Sequence, residues 1–245
     1  MISVMWKNAV KLSRNDLSTE VPVRTNVSER WKGVAHRELA DGILASLESQ
    51  GIGVTSEVWY VDRGGNLMVG GLGLSLPKRA GLAKLKGMEY AMGILHSNDG
   101  RKAIRIAAGA RVMICSNGVL TGSFLVQKKH TKHLELQANL DNGVERLVGE
   151  LGATQTFVDD LKNLKLGPAR VDEIAMEVGR QHLLPWSAVG KVDAEYRNPS
   201  FDEFKEFNGT GWGWYNAYNY VLQQVSPDRQ LRSLDEVRPI IFPQK

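Results

Sequence analysis

From Trp31 to Ser49 the apolar residues Val34, Leu39, Ile43, Leu44 and Leu47 fall near one face of a helix. Gln50-Gly51-Ile52-Gly53 ends it, because glycine tolerates the left-handed conformation at a helix C-terminus. The period then drops to two. Val54 to Val61 is rich in β-branched and aromatic residues, and Asp62-Arg63-Gly64-Gly65-Asn66 carries a hairpin turn signal. Leu67 to Leu76 returns as a strand in which Leu72, Leu74 and Leu76 alternate with small residues, and Pro77 stops it. Gly70, Gly71 and Gly73 predict a bulge or the close approach of another backbone. A second unit repeats the type without the sequence: Met88 to His96, a turn at Ser97-Asn98-Asp99-Gly100, then alternation from Arg101 to Ile106. Gly109 predicts a break or bulge before Val112-Met113-Ile114-Cys115. Cations on alternate strand positions must face water when unpaired, so this sheet is expected to have one wet face.

After Lys132 the helical period returns. Leu136, Leu140, Val144, Leu147, Val148 and Leu151 trace one stripe, with Gly152 as an interruption, and Phe157, Leu161 and Leu164 suit a second short helix. Pro168 opens a third, with Val171, Ile174, Ala175 and Val178 facing inward. Pro185 to Pro199 reads as a linker, Ser200 and Glu203 have capping-box spacing, and Trp214, Tyr218, Val221 and Val225 predict a final helix. The expected fold is α+β: a curved antiparallel sheet of two hairpins packed by flanking helices. The expected organisation is an extended arm over 1–30, a core over 31–185 and a helical, aromatic-rich segment over 186–245.

Charge changes this picture from a generic fold to a candidate binder. Lys78 to Lys132 holds eleven Lys/Arg and two acids, Glu89 and Asp99, for a net of +9. Residues 1–77 hold eight of each sign, and residues 133–245 hold twelve basic and seventeen acidic side chains, so the three parts sum to +4. A local cluster of cations attracts a polyanion. Lys84 and Lys86 between the hairpins, Arg101, Lys102, Arg105 and Arg111 on the second hairpin, and Lys128, Lys129 and Lys132 after it are the expected phosphate contacts. Trp59 reads as core. The 209–220 segment, with Trp212 and Trp214, cannot bury Tyr215, Asn216, Asn219 and Tyr220 without partners, so it reads equally as a docking seam or a ligand-facing surface.

Other chemistries find little support. The single cysteine, Cys115, excludes an intrachain disulfide and suits a reducing cytosol. Cys115, His130 and His133 are capable zinc ligands, but their spacing matches no zinc signature. The Val69–Gly73 stretch is no phosphate loop, since Gly-Lys-Ser/Thr does not follow. No apolar run approaches the roughly 20 residues of a membrane span, and residues 1–11 do not read as a secretory signal.

Cys115-Ser116-Asn117, Lys128-Lys129-His130-Thr131 and the Asn216-Ala217 helix with Trp212 or Trp214 together resemble an uncharacterised family of phage- and plasmid-encoded proteins. In that family a strand ends in Cys, a small or acidic residue and Asn; a basic stretch with His-Thr follows; and a tryptophan-containing Asn-Ala helix comes late. The similarity spans roughly residues 35–225. Ser116 stands where Asp is frequent, and the usual Thr-Glu after Asn-Ala is absent. The resemblance implies a mobile-element origin and no particular biochemistry. The element order is also similar to the core of single-strand annealing proteins, which hold DNA in a basic groove, although no motif of theirs matches here. These readings predict sequence-nonspecific binding of single-stranded DNA, with strand annealing in phage or plasmid recombination as its setting. They predict a cytoplasmic homo-oligomer with no cofactor, no metal, no membrane partner and no catalytic residues. Its apolar Ile240-Ile241-Phe242 tail is expected on the body or on a neighbouring subunit. A non-catalytic protein that binds a host protein or a small nucleotide is the alternative, and a metal-dependent nuclease is third.

Overall fold

The computed structural model describes residues 9–21, 30–82, 88–112, 124–224, 233 and 236–243. Six strands form one antiparallel sheet in sequential order: β1 (Ala9–Leu12), β2 (Gly53–Asp62), β3 (Leu67–Ser75), β4 (Met88–Ser97), β5 (Ile104–Val112) and β6 (Phe124–Lys128). The two expected hairpins are its centre. β1 lengthens the sheet on one side by pairing Ala9 with Asp62 and Leu12 with Trp59, and β6 lengthens it on the other by pairing Lys128 with Ile104. The expectation of a curved two-hairpin sheet with an annealing-like core is therefore corrected: the sheet is an open meander, neither curved nor closed. Part of the expected N-terminal arm is strand β1, because its alternating Val10 and Leu12 find a free edge on β2.

The expected wet face is also absent. Helix α1 (His36–Ser49) and the first half of α2 (Leu136–Asn163) bury Leu39, Ile43, Leu47, Leu140, Val144 and Leu147 in one cluster with Met68, Leu72, Met92, Ile94, Ile104 and Ile106 of the sheet. A second cluster joins Val69, Ala91, Leu95 and Ala107 to α3 (Pro168–Arg180), α4 (Trp186–Arg197) and α5 (Gly211–Leu222). Both sides of the central strands are thus covered, which is why β4 is a nearly unbroken apolar run. At 28 residues, about 42 Å long, α2 is long enough to serve both clusters, with Phe157 and Leu161 in the second. Gly152 lies inside that helix and does not interrupt it, and Gly109 lies inside a continuous β4–β5 register.

The expected irregularity is present as a β2–β3 register shift between Val54 and Ser56, opposite Leu74 and Gly73, and Gly70 has a side-chain explanation. Gly70 pairs with Trp59, and a Cβ at Gly70 would overlap the Trp59 ring, so the glycine admits the indole to the core. The segment expected as a linker forms α4. Ser200 donates its hydroxyl back to Glu195 (2.7 Å) instead of opening a capping box. Helix α5 is buried all round: Trp214 stacks on Tyr218 (5.4 Å), and Trp212 on Tyr215 (6.3 Å). Asn216 and Asn219 are buried because each side-chain amide donates to a carbonyl one turn back, of Trp212 (2.8 Å) and Tyr215 (2.7 Å). The 209–220 segment is therefore core, not a ligand-facing surface. The C-terminal turn α6 (Arg238–Ile241) docks on the body, where Arg170 Nη2 donates to Ile240 O at 2.6 Å. The two apolar features that suggested an oligomer are thus occupied within the chain.

Candidate functional site

With both faces of the central strands covered, several of the sequence-predicted cations gather at one end of the sheet. There the β2–β3 turn, the β4–β5 turn and the N-terminus of α1 meet. Segment 30–32 runs antiparallel to residues 130–132: Trp31 bridges Thr131, Lys132 N donates to Arg30 O (2.6 Å) and Lys32 N donates to His130 O (3.4 Å). The β4–β5 turn closes on Gly100, which adopts φ +72° and leaves room for the Trp31 indole where a Cβ would overlap it.

Between these segments lies a cleft of about 760 Å³. Arg30, Arg101, Lys102, Arg105 and Lys129 supply its cations; Trp31, Gln127, His130 and Thr131 complete the polar and aromatic wall. No carboxylate lines it among the described residues. Asp99 stands just behind, accepting from the Ser97 hydroxyl and the Arg101 guanidinium. Burial alone would raise the Asp99 carboxyl, but hydrogen bonds from Ser97, the Arg101 amide and the Arg101 side chain outweigh it and hold the acid below its ordinary value. Asp99 therefore stays charged and fixes Arg101 at the rim. The Arg105 guanidinium lies over the Phe124 ring at 5.7 Å.

Of the nine expected phosphate contacts, Arg101, Lys102, Arg105 and Lys129 come together in this cleft. Lys128 and Lys132 are exposed nearby but do not line it. In the backbone register Arg111 stands opposite Glu89 at the far end of β5, six residues from Arg105 and so about 20 Å away along the strand. Lys84 and Lys86 lie outside the described residues, as do Cys115 and Asn117. His130 is buried at the cleft wall, whereas His133 is exposed, and no group of three His, Cys, Asp or Glu among the described residues is arranged to hold a metal. Sequence reasoning missed Arg30 and Trp31. The signal was present as an aromatic between two cations, Arg30-Trp31-Lys32, but about 100 residues of chain separate it from its partner segment.

Behind the cleft three histidines form a buried file. His130 faces His96 with ring centres 5.3 Å apart, and His96 Nδ1 lies 2.8 Å from His36 Nδ1. His36 Nε2 is 3.1 Å from Gly65 O. All three are depressed below the ordinary histidine range. Burial is the main cause for each, and the two neighbouring rings add to it at His96, which falls furthest. At His36 the Gly65 carbonyl, Asp62 and Asp99 oppose the shift without reversing it.

The fold and cleft define an α+β protein with helices on both faces of an open antiparallel sheet and a basic pocket at one end. The chain belongs to the family described as a domain of unknown function, DUF932, which matches residues 24–239. No curated protein and no solved structure matches it. Among the described residues no helix is long and apolar enough to cross a membrane.

Proposed function

We propose that this protein binds single-stranded nucleic acid without sequence preference, through the cleft between segment 30–32, the β4–β5 turn and residues 127–131. One observation carries the reading: five cations from three separate chain segments converge around an aromatic ring with no acid among the described residues of the wall. Cations neutralise successive phosphates, and an indole offers a stacking face to any base. A compact cleft at a sheet end suits a short stretch of a flexible strand better than a rigid duplex. The resemblance to phage- and plasmid-encoded proteins suggests exposed DNA strands of mobile elements as the ligand.

The test is fluorescence anisotropy with labelled oligothymidylate across a salt series. If all five cations meet phosphates, log Kd should rise with log salt with a slope of about 3.5, from roughly 0.7 per phosphate for single strands. Charge reversal at Arg105 and Lys129 together should weaken binding and flatten that slope while the circular-dichroism spectrum is retained. Binding indifferent to salt overturns the proposal.

A further inference from the structure

The histidine file runs inward from the cleft, with His130 in its wall and His96 and His36 behind, and its composition is unusual for a core. His36 is 1% exposed, His96 0% and His130 7%. Their neutral forms are fixed by geometry. His36 Nε2 donates to Gly65 O, so its Nδ1 is bare, and His96 Nδ1–H must donate to that nitrogen. His96 Nε2 is then a bare acceptor, buried and without a partner, and neither ring nitrogen of His130 makes a well-formed hydrogen bond. The Lys32 and Lys102 backbone nevertheless lies close enough to favour a charged His130. The file thus has unused capacity for a proton, beginning at His130 in the wall of the site where a polyanion would sit.

Resting on the reading of the cleft as a phosphate site, we propose that ligand binding there is coupled to uptake of one proton by the histidine file, at His130, so that the protein grips its ligand more tightly as pH falls through the mildly acidic range. In the empty cleft burial keeps His130 neutral, and Arg101, Lys102 and Arg105 from β5 and its approach, with Arg30 and Lys129, line the same cleft, while the Lys32 ammonium turns away to the Leu134 carbonyl. Asp99 on the β4–β5 turn is the acid that acts on it, while Asp62 acts on His36 across the file. Phosphates entering the cleft offset those cations and reverse the local balance. His130 then protonates and can donate to the Lys32 and Lys102 carbonyls, with the bare His96 Nε2 beyond it. By linkage, whatever favours the proton on His130 is favoured by it in return.

Two measurements on the full chain test this. The first is the Kd for labelled oligothymidylate at constant ionic strength between pH 7.5 and 5.5, with circular dichroism confirming the fold at each pH. Coupling to one proton should tighten binding by roughly tenfold over this range, and His130→Asn should abolish that dependence. The second is histidine titration by proton NMR with and without inorganic tripolyphosphate. It should move the His130 midpoint upward. Oligothymidylate binding with no pH dependence, or with the same dependence in His130→Asn, overturns the coupling and leaves the nucleic-acid reading standing. A tripolyphosphate-induced shift at His130 without oligothymidylate binding supports the coupling and removes the nucleic-acid reading. Absence of binding by both probes overturns both.

Discussion

At the scale of single residues, the sheet end is built from side chains that are costly alone and stable together. His96 is the sharpest case. Its pKa is depressed by burial, so the folded state resists a proton that the unfolded chain accepts from about pH 6.5 downward. Between that pH and its folded value, the unfolded state binds more protons, and stability must fall as pH falls. His36 and His130 add in the same direction. Urea midpoints for the free protein should therefore decrease from pH 7.5 to 5.5, and His96→Asn should show a shallower decrease than the wild type; equal pH dependence would show that His96 is not the source. Trp31 belongs to this scale as well. Trp31→Ala should weaken oligothymidylate binding by about 1–3 kcal/mol if one base stacks on it, measured by anisotropy at a fixed salt concentration.

At the scale of elements, two glycines mark places where strands and turns make room for indoles. At Gly100 the backbone is left-handed and the Trp31 ring fills the space of a side chain. Gly100→Ala carries the left-handed penalty of about 1–2 kcal/mol and also displaces Trp31. It should lower both the melting temperature and the affinity for single strands, whereas Gly65→Ala carries the left-handed penalty with nothing within 4 Å of its Cβ. Comparing the two by thermal melts and anisotropy separates turn strain from the loss of Trp31. The N-terminus of α5 depends on Thr210, whose hydroxyl accepts from Gly213 N at 3.2 Å. Thr210→Ala should cost about 1 kcal/mol by loss of that cap, read as a lower urea midpoint.

At the scale of the whole molecule, helices on both faces leave the sheet end as the place where backbone turns and cations reach solvent together. The same covering holds the C-terminus: Ile240 and Ile241 are buried, and Arg170 reaches across to the Ile240 carbonyl. Arg170→Ala should lower the melting temperature by a few degrees and speed thermolysin cleavage before Ile241, because the turn loses a charge-assisted hydrogen bond worth about 1.5–3 kcal/mol at most. Unchanged cleavage would mean that apolar packing of the two isoleucines suffices.

The sequence alone determined the local elements wherever one periodicity held for two turns or more. Helix α1, the two central hairpins and α3 follow from the spacing of their apolar residues and from their glycine and proline stops. It also determined that cations concentrate between Lys78 and Lys132, since charge is counted, not folded. Only the tertiary structure decided what those elements bury. Arg101 and Arg105 lie at a sheet end and not on a wet face, because helices distant in sequence cover both sides of β4 and β5. Trp212 and Trp214 are core because buried asparagine amides find carbonyls one turn back, a partnership invisible until the helix forms. Arg30, Trp31 and the histidine file join the cleft through pairing of residues 30–32 with 130–132, and His36, His96 and His130 meet across intervals of 60 and 34 residues. The physical reason is the same each time: helices and hairpins are selected by neighbours within a few residues, whereas a site is assembled by contacts between segments whose separation along the chain carries no local signal.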